Sequence, residues 1–365
     1  MTFAFKQTSA DFQVYEELPF ALAGKGEALY VYIEKRNMTT QEVILHLRKK
    51  LKLSRLSIGI AGLKDKKAIA RQWISIYDRA LKQAGGERLF VDTLAEIVKI
   101  VEVSRHTFPL NLSTPITNRF YIAFRAQKNL GQEERAQAQE FVQKLLHGGY
   151  LNLYGEQRFG IKGRNSTQGW EIVQGSSKEK KEMTKADVIF KIQALSSQIF
   201  NEYAEQVYAK NRAVIDGDLL TWVDKGRTHF GVYEAASKLV FLTETKGAEG
   251  AATFAVQKMG KGIAYDPKSM VATWPVLGRN LPMPPSKTLA GQREAKFLEQ
   301  YTKDKAMFAA LREHKIFGLR RPLWVTPTKA NATYSGDDLH VSFSLPSGAY
   351  ASIVFDELNE ELVGR

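Results

Sequence analysis

Period-two alternation of apolar and polar residues predicts strands in several places along the chain. The runs are 12–14, 29–33, 119–125, 339–343 and 350–354. We expect the first two runs to form a hairpin across the turn Gly24-Lys25-Gly26. In the third run Phe120 shares its side of the strand with other apolar residues, so the pattern itself predicts that this ring belongs to the core.

Apolar residues at helical spacing lie between these strands. Thr39 and Glu42 have the spacing of a capping box at a helix start. Three buried stripes are predicted: Val43, Ile44, Leu47 and Leu51; Ala136, Phe141, Val142 and Leu145; and Val188, Ile192, Leu195, Ile199, Tyr203 and Val207. The chain therefore combines sheet and helices.

The length of the chain bears on its domain organisation. It has 365 residues, and a single hydrophobic core rarely serves a chain of this length. We therefore expect two domains. The alternating pattern gives way to a long helical stripe beyond about residue 168. Because strand-like runs return near the end of the chain, one domain is expected to be discontinuous in sequence.

The charge balance indicates the kind of partner. Lysine and arginine number 52 against 39 aspartates and glutamates, a formal net charge of +13. This excess favours a nucleic-acid partner, with simple solubility or an anionic membrane surface as alternatives. No apolar run approaches a membrane span and the first residues lack the order of a signal peptide, so we expect a cytoplasmic protein without a membrane partner. The absence of cysteine excludes disulfides and thiolate chemistry.

The segment 58–76 carries the most distinctive chemistry. An apolar run with glycines leads into a turn in which Asp65 is the only acid beside Lys64, Lys66 and Lys67. Nearby positive charge favours the ionised carboxylate, so this group is expected to be an anion at neutral pH. Composition by itself nevertheless favours a solvated hairpin tip.

The motif Gly-Leu-Lys-Asp-Lys-Lys-Ala, followed by Arg-Gln-Trp, resembles the signature of the TruD family of tRNA pseudouridine synthases. Further blocks of the family pattern recur in order along the chain. They are Phe5-Lys6, 11–14, 34–36 with Thr39-Thr40, 118–120, 155–160 and 345–348. Six ordered blocks spanning nearly the full length make the resemblance specific.

The resemblance implies an α+β pseudouridine synthase fold, with a mixed, mainly antiparallel sheet flanked by helices and an inserted α/β domain. We place the first part of the catalytic domain at 1–168, the inserted domain at 169–311 and the second catalytic part at 312–365. It also implies isomerisation of a uridine, at position 13 of tRNA, to pseudouridine without a cofactor or metal. We expect a monomer with tRNA as its partner.

The resemblance also assigns site residues. Asp65 matches the catalytic aspartate, and Lys6 matches its ion-pair partner, although a terminal lysine by itself indicates only solvated surface. Phe120 is implied to stack on the target base and Asn118 to position it. Residues of the loop 155–160 are implied to form the rim of the site. The remaining substrate-binding candidates are Lys64, Lys66, Arg71, Gln157, Arg158, Phe159 and Arg164.

Two other functions and two chemical routes stay open. A non-catalytic RNA-binding or RNA-folding protein would need the basic surface but not Asp65. A glycoside hydrolase needs two cooperating carboxylates, and only one lies in a motif. In a synthase, a single carboxylate acts as nucleophile at the sugar C1′ or as base at C2′. The target nucleotide must be taken out of its stack before that carboxylate reaches the sugar.

Overall fold

The structure is a computed structural model. It describes residues 3–64, 66, 68–111, 114, 116–177, 179–209, 212–224, 227–245, 253–303 and 305–363. The chain divides into two compact units. Unit 1 contains Met1–Gly149, Thr326–Ala349 and Phe355–Arg365, and unit 2 contains Tyr150–Val325 and Tyr350–Val354.

Unit 1 is discontinuous in sequence, as expected for a domain that carries an insertion. Unit 2 contains the whole segment 169–311 together with residues on both sides of it. The assignment of 1–168 and 312–365 to a catalytic domain, and of 169–311 to an inserted domain, remains a prediction.

The strands and helices are numbered along the chain. The strands are β1 (Phe3–Phe5), β2 (Phe12–Glu17), β3 (Ala28–Arg36), β4 (Ile58–Gly59), β5 (Ile69–Tyr77), β6 (Lys99–His106), β7 (Thr117–Ala126), β8 (Tyr150–Leu151), β9 (Leu219–Asp224), β10 (Arg227–Glu234), β11 (Leu239–Thr245), β12 (Thr253–Ala264), β13 (Val271–Val276), β14 (Leu281–Met283), β15 (Leu319–Pro322), β16 (Trp324–Val325), β17 (Thr328–Ser335) and β18 (Asp338–Pro346). The helices are α1 (Thr40–Leu51), α2 (Asp78–Gln83), α3 (Glu87–Ala95), α4 (Gln132–Gly148), α5 (Glu156–Phe159), α6 (Arg164–Val173), α7 (Lys185–Tyr203), α8 (Leu289–Thr302), α9 (Ala306–Glu313) and α10 (Ala351–Val363).

In the described part of unit 1, nine strands form one sheet. Its order is β17-β18-β7-β2-β5-β3-β6, with β1 also paired to β7 and β4 to β5. Only β2 and β5 run parallel in this part of the chain, and the other described pairs are antiparallel. The predicted α+β fold with a mixed, mainly antiparallel sheet is therefore confirmed.

The predicted hairpin between the first two runs is wrong. Both runs are strands, but β5 lies between β2 and β3 in the sheet. Every residue of β5 from Gln72 to Ile76 is buried. A strand that is buried on both faces lies inside a sheet, and β5 therefore occupies the position beside β2 that the prediction gave to β3. Ten residues separate β2 from β3, which is longer than a tight hairpin turn.

Helix α1 forms one side of the unit 1 core. The predicted capping box is present, because the Thr39 hydroxyl accepts a hydrogen bond from the Glu42 backbone and the Glu42 carboxylate accepts one from the Thr39 backbone. Val43 and Leu47 are fully buried in one cluster with Val31 of β3 and other aliphatic residues of the sheet. The predicted stripe on this helix is thus confirmed at these positions.

Two helical details differ from the prediction. Helix α4 buries Ala138, Val142 and Leu146, whereas Ala136 is exposed. The run 350–354 was expected to be a strand, but helix α10 begins within it. The reason is visible further along, where Val354, Phe355, Leu358 and Leu362 are buried at helical spacing.

Unit 2 has its own sheet and core. Seven described strands follow the order β14-β12-β11-β10-β9-β13-β15. Helix α7 buries the predicted stripe, including Val188, Ile192 and Ile199. A bidentate pair between Arg320 and Glu294, with N–O distances of 2.8 and 2.7 Å, is enclosed in this unit. Over the described ranges, the structure contains no helix long and apolar enough to cross a membrane.

The α1 cap generates a stability prediction. Thr39→Ala removes the hydroxyl that accepts from the helix amide, and we expect it to lower the free energy of unfolding by about 1 kcal/mol. Urea unfolding followed by circular dichroism measures this change. Thr39→Ser keeps the oxygen and is the control. Equal stability of the alanine and serine variants would contradict the role given to the cap.

Candidate functional site

Strand register brings the motif residues onto one face of the unit 1 sheet. In the antiparallel pair of β2 and β7, Glu16 lies opposite Asn118 and Val14 lies opposite Phe120. Because successive side chains of a strand alternate between faces, these four side chains share one side of the sheet. The adjoining strand β18 adds Phe343 opposite Phe120.

Phe120 is part of an aromatic cluster on this face. Its ring centroid lies 5.3 Å from that of Phe343, 5.9 Å from Phe355 and 6.2 Å from Phe12. The residue is 7% exposed. The core position predicted from the alternating pattern is confirmed, and the base-stacking role implied by the resemblance stays a prediction.

A polar cluster lies beside the aromatic one and centres on Lys64. Its Nζ is 2.9 Å from Glu16 Oε2 and donates a 2.7 Å hydrogen bond to Asn118 Oδ1. The Lys64 side chain is 7% exposed and that of Glu16 is fully buried. Burial raises the pKa of the Glu16 carboxyl, and the charge of Lys64 opposes that rise.

The backbone of Lys64 is held as well. Its N–H donates to Thr40 Oγ1 at 2.9 Å, and its carbonyl accepts from Lys35 Nζ at 3.2 Å. The Thr40 hydroxyl in turn donates to Gln72 Oε1 at 2.7 Å. Thr40 and Gln72 are both buried, so solvent competes little with these bonds. Lys64 is thereby bound at its amine, its amide and its carbonyl.

Of the three residues that follow Lys64, the structure describes Lys66. Asp65 and Lys67 lie outside the described residues. Lys66 is exposed, and its Nζ is 3.3 Å from Glu42 Oε1 in a pair whose members are 59% and 47% exposed. Its backbone carbonyl accepts from the amide of Ala68 at 2.9 Å. Lys66 is therefore accessible to a ligand, whereas the amine of Lys64 is enclosed.

Lys6 follows strand β1 in a left-handed backbone conformation, with φ of 54°. Its Nζ lies 4.2 Å from the centroid of the Phe12 ring, a cation–π contact with the aromatic cluster. The predicted ion pair with Asp65 stays a prediction, since the carboxylate lies outside the described residues.

Arg71 lies on the opposite face of the sheet from Asn118 and Phe120. It is paired in register with Tyr15, which alternates with Val14 and Glu16 along β2. Its Nε is 2.9 Å from Glu34 Oε2, and its guanidinium lies 4.4 Å from the centroid of the Tyr15 ring. Register thus separates Arg71 from the polar cluster with which the motif groups it.

The remaining candidates belong to unit 2. Arg158 donates to Ser197 Oγ at 3.1 Å and lies 5.2 Å from the centroid of the Phe190 ring. Phe159 lines a cavity of about 840 Å³. Arg164 is exposed at the start of α6, and the side chain of Gln157 lies outside what the structure describes.

Sequence reasoning missed Glu16. It was visible as a carboxylate at the third position of the alternating series 12, 14 and 16, where the pattern predicts an inward side chain. A buried carboxylate requires a partner. Because Lys64 is distant from Glu16 in sequence, the alternating pattern could not identify it as this partner. Thr40 and Lys35 belong to the family motif blocks, but the resemblance assigned no role to either residue.

Metal ligation finds no support in the described ranges. Over these residues, no group of three or more histidine, aspartate or glutamate side chains is placed to hold a metal ion.

Comparison with known proteins places the chain in a family. The family model described as tRNA pseudouridine synthase D (TruD) matches residues 2–184 and 188–358. A tRNA pseudouridine synthase D from Thermus thermophilus is 30% identical over 355 residues, covering 95% of this chain and 86% of that protein. One from Haemophilus influenzae is 26% identical over 359 residues, covering 98% and 94%.

A solved structure agrees in fold. A protein from Methanosarcina mazei, described as tRNA pseudouridine synthase D, superposes with a TM-score of 0.61 at 19% identity and covers 99% of this chain and 94% of that one. The fold is therefore that of a pseudouridine synthase. The chain belongs to the TruD family of tRNA pseudouridine synthases, which are isomerases.

The Arg71 and Glu34 pair generates a pH prediction. Burial opposes ionisation of Glu34, but hydrogen bonds from Arg36 and Arg71 outweigh it and lower the pKa of this carboxyl from its usual 4.5. A lowered folded-state pKa stabilises the fold above pH 4.5, and this contribution is lost as the pH falls through the folded-state pKa. Glu34→Gln should therefore destabilise the protein more at pH 7 than at pH 3.

Urea unfolding of the wild type and of Glu34→Gln across this pH range measures the difference. Glu140→Gln, which alters an exposed carboxylate of α4, is the control for general acid effects. A destabilisation that stays constant or grows towards acid pH would contradict the assignment.

Proposed function

We propose that this protein converts uridine 13 of tRNA into pseudouridine, with Asp65 as the catalytic residue and without a cofactor. The observation that carries the proposal is the match to the family model across 2–184 and 188–358. The curated relatives are named tRNA pseudouridine synthase D, which supports the reaction and the tRNA substrate. The motif around Asp65 supplies the residue-level assignment.

The reaction is compatible with one carboxylate. The bond between the sugar C1′ and uracil N1 breaks, the base turns, and C1′ rejoins the base at C5. The proton on C5 is then lost and N1 gains one, so that no redox change occurs. Asp65 serves as nucleophile at C1′ or as base at C2′, and Lys6 keeps it ionised and oriented in this proposal.

The groups around the base have separate roles in the proposal. The Asn118 amide recognises the edge of the extruded uracil, and the ring of Phe120 stacks on the base, the role that the resemblance implies. Asn118 and Phe120 are two positions apart on β7, so their side chains lie on the same face of the strand, one polar and one apolar.

Phosphate contacts are assigned by exposure. Lys66 and Arg164 are exposed and therefore able to meet a phosphate. Arg158, with Gln157 and Phe159 beside it, is proposed as part of the RNA-binding rim. Lys64 and Arg71 are weaker candidates because buried carboxylates engage them and their side chains are less exposed than that of Lys66.

The proposal is tested by mapping pseudouridine, base by base, in unmodified tRNA incubated with the purified protein. We expect conversion of uridine 13 in the presence of EDTA. Asp65→Asn should bind tRNA but form no product, because the amide is neither nucleophile nor base. Asp92→Asn removes an exposed acid of α3, 67% accessible, and should convert normally.

The outcomes distinguish the catalytic residue, the function and the target uridine from their alternatives. Product formation by Asp65→Asn would end its assignment as catalyst. Tight tRNA binding by a wild type that forms no product would favour the non-catalytic RNA-binding alternative. Conversion at a different uridine would keep the reaction and correct the position.

Lys66 generates a binding prediction. Lys66→Met removes one exposed charge, so the slope of log Kd against log salt concentration should fall by about one unit in magnitude. Lys128→Met, which removes a similarly exposed charge outside the motif, is the control. Titrations at several salt concentrations measure both slopes. An unchanged slope for Lys66→Met would show that this lysine does not meet the RNA backbone.

A further inference from the structure

We infer that Glu16 and Lys64 are positioning residues for the proposed reaction. Their buried ion pair holds the residue directly before Asp65 and orients the side-chain amide of Asn118. The inference rests on the proposed function, and it assigns to Lys64 a role other than phosphate binding.

The ion pair joins the motif loop to two neighbouring strands of the sheet. Glu16 belongs to β2 and Asn118 to β7, and the two residues are opposite each other in the register of the sheet. The amine of Lys64 reaches both, at 2.9 and 2.7 Å. Lys64 itself lies in the loop between β4 and β5. One side chain therefore fastens the motif loop to two strands of the sheet.

The second observation is that the loop backbone is fastened at the same residue. Thr40 accepts from the Lys64 amide, and Lys35 donates to the Lys64 carbonyl. These two residues come from α1 and β3, so four separate elements hold Lys64. Because Asp65 is joined to Lys64 by a peptide bond, fixing Lys64 restricts where the next residue begins.

The third observation concerns the direction of the Asn118 amide. A lysine ammonium only donates hydrogen bonds, so the amide atom facing it must be the oxygen Oδ1. The amide nitrogen is then left as a donor for another group. A donor at this place fits a carbonyl oxygen of uracil, and the Lys64 contact disfavours the flipped amide, which would present an acceptor.

Stability by itself does not account for the pair. Removing two charges from water is costly, and replacing such pairs with apolar residues is often neutral or stabilising. An enclosed lysine also cannot meet a phosphate. The placement is explained if the rigid geometry serves the reaction, since small misplacements of reacting groups reduce rates strongly.

The test separates rate from binding. Lys64→Met and Glu16→Gln are compared with the wild type in single-turnover conversion at saturating tRNA, in tRNA affinity and in thermal unfolding. We expect each variant to lower the single-turnover rate by about tenfold to a hundredfold. The tRNA Kd should change less than twofold, because the Lys64 amine is enclosed and meets no phosphate.

Two further variants sharpen the test. Lys50→Met breaks a matched but exposed ion pair, Lys50 with Glu96 at 3.1 Å, and should convert at the wild-type rate. The double variant Glu16→Gln with Lys64→Met should be no slower than the slower single variant, because each single change already breaks the same pair. If Lys64→Met does not fold, Glu16→Gln carries the test, since glutamine keeps the shape of the side chain.

The outcomes are distinct. A lower rate with unchanged affinity supports the inference. Weaker affinity with an unchanged rate would overturn it and make Lys64 a phosphate contact. A lowered melting temperature with a normal rate for the folded protein would reduce the pair to a structural role. An inactive wild type would instead refute the proposed function, so the two failures cannot be confused.

Discussion

The buried ion pair between Lys64 and Glu16 is the interaction on which the candidate site depends. A charge enclosed in protein requires a partner at close range, and here the partners come from strands far apart in sequence. Satisfying the Lys64 amine brings Glu16 of β2 and Asn118 of β7 together with the loop before β5. The polar cluster therefore joins the motif loop to two strands of the sheet and supports the proposed chemistry.

The sheet sorts the motif residues onto two faces. On one face the aromatic cluster around Phe120 and the polar cluster around Lys64 adjoin each other, with aliphatic residues under α1 farther along. On the other face Arg71 contacts Tyr15 and Glu34. Aromatic rings beside oriented polar groups suit a nucleobase, which has a flat ring and a hydrogen-bonding edge.

Among the basic residues of the motif that the structure describes, three are paired with carboxylates. Glu16, Glu34 and Glu42 each engage one of the basic residues that the motif contains. Exposure then separates them, since Lys66 is open to solvent and Lys64 is enclosed. A net charge of +13 thus indicates the class of partner, while burial indicates which residues can touch it.

Local patterns in the chain were enough to predict the family, the mixed sheet with helices, the α1 cap and the buried stripe of α7. These features depend on local periodicity, capping and ordered motifs, which are properties of neighbouring residues. Three-dimensional packing was needed to show that β5 separates β2 from β3, that α10 replaces an expected strand, and that Arg71 faces away from Asn118. It also decided the partner of Lys64. Strand order and ion pairing join residues dozens of positions apart, and no local pattern records which distant strand or carboxylate completes them.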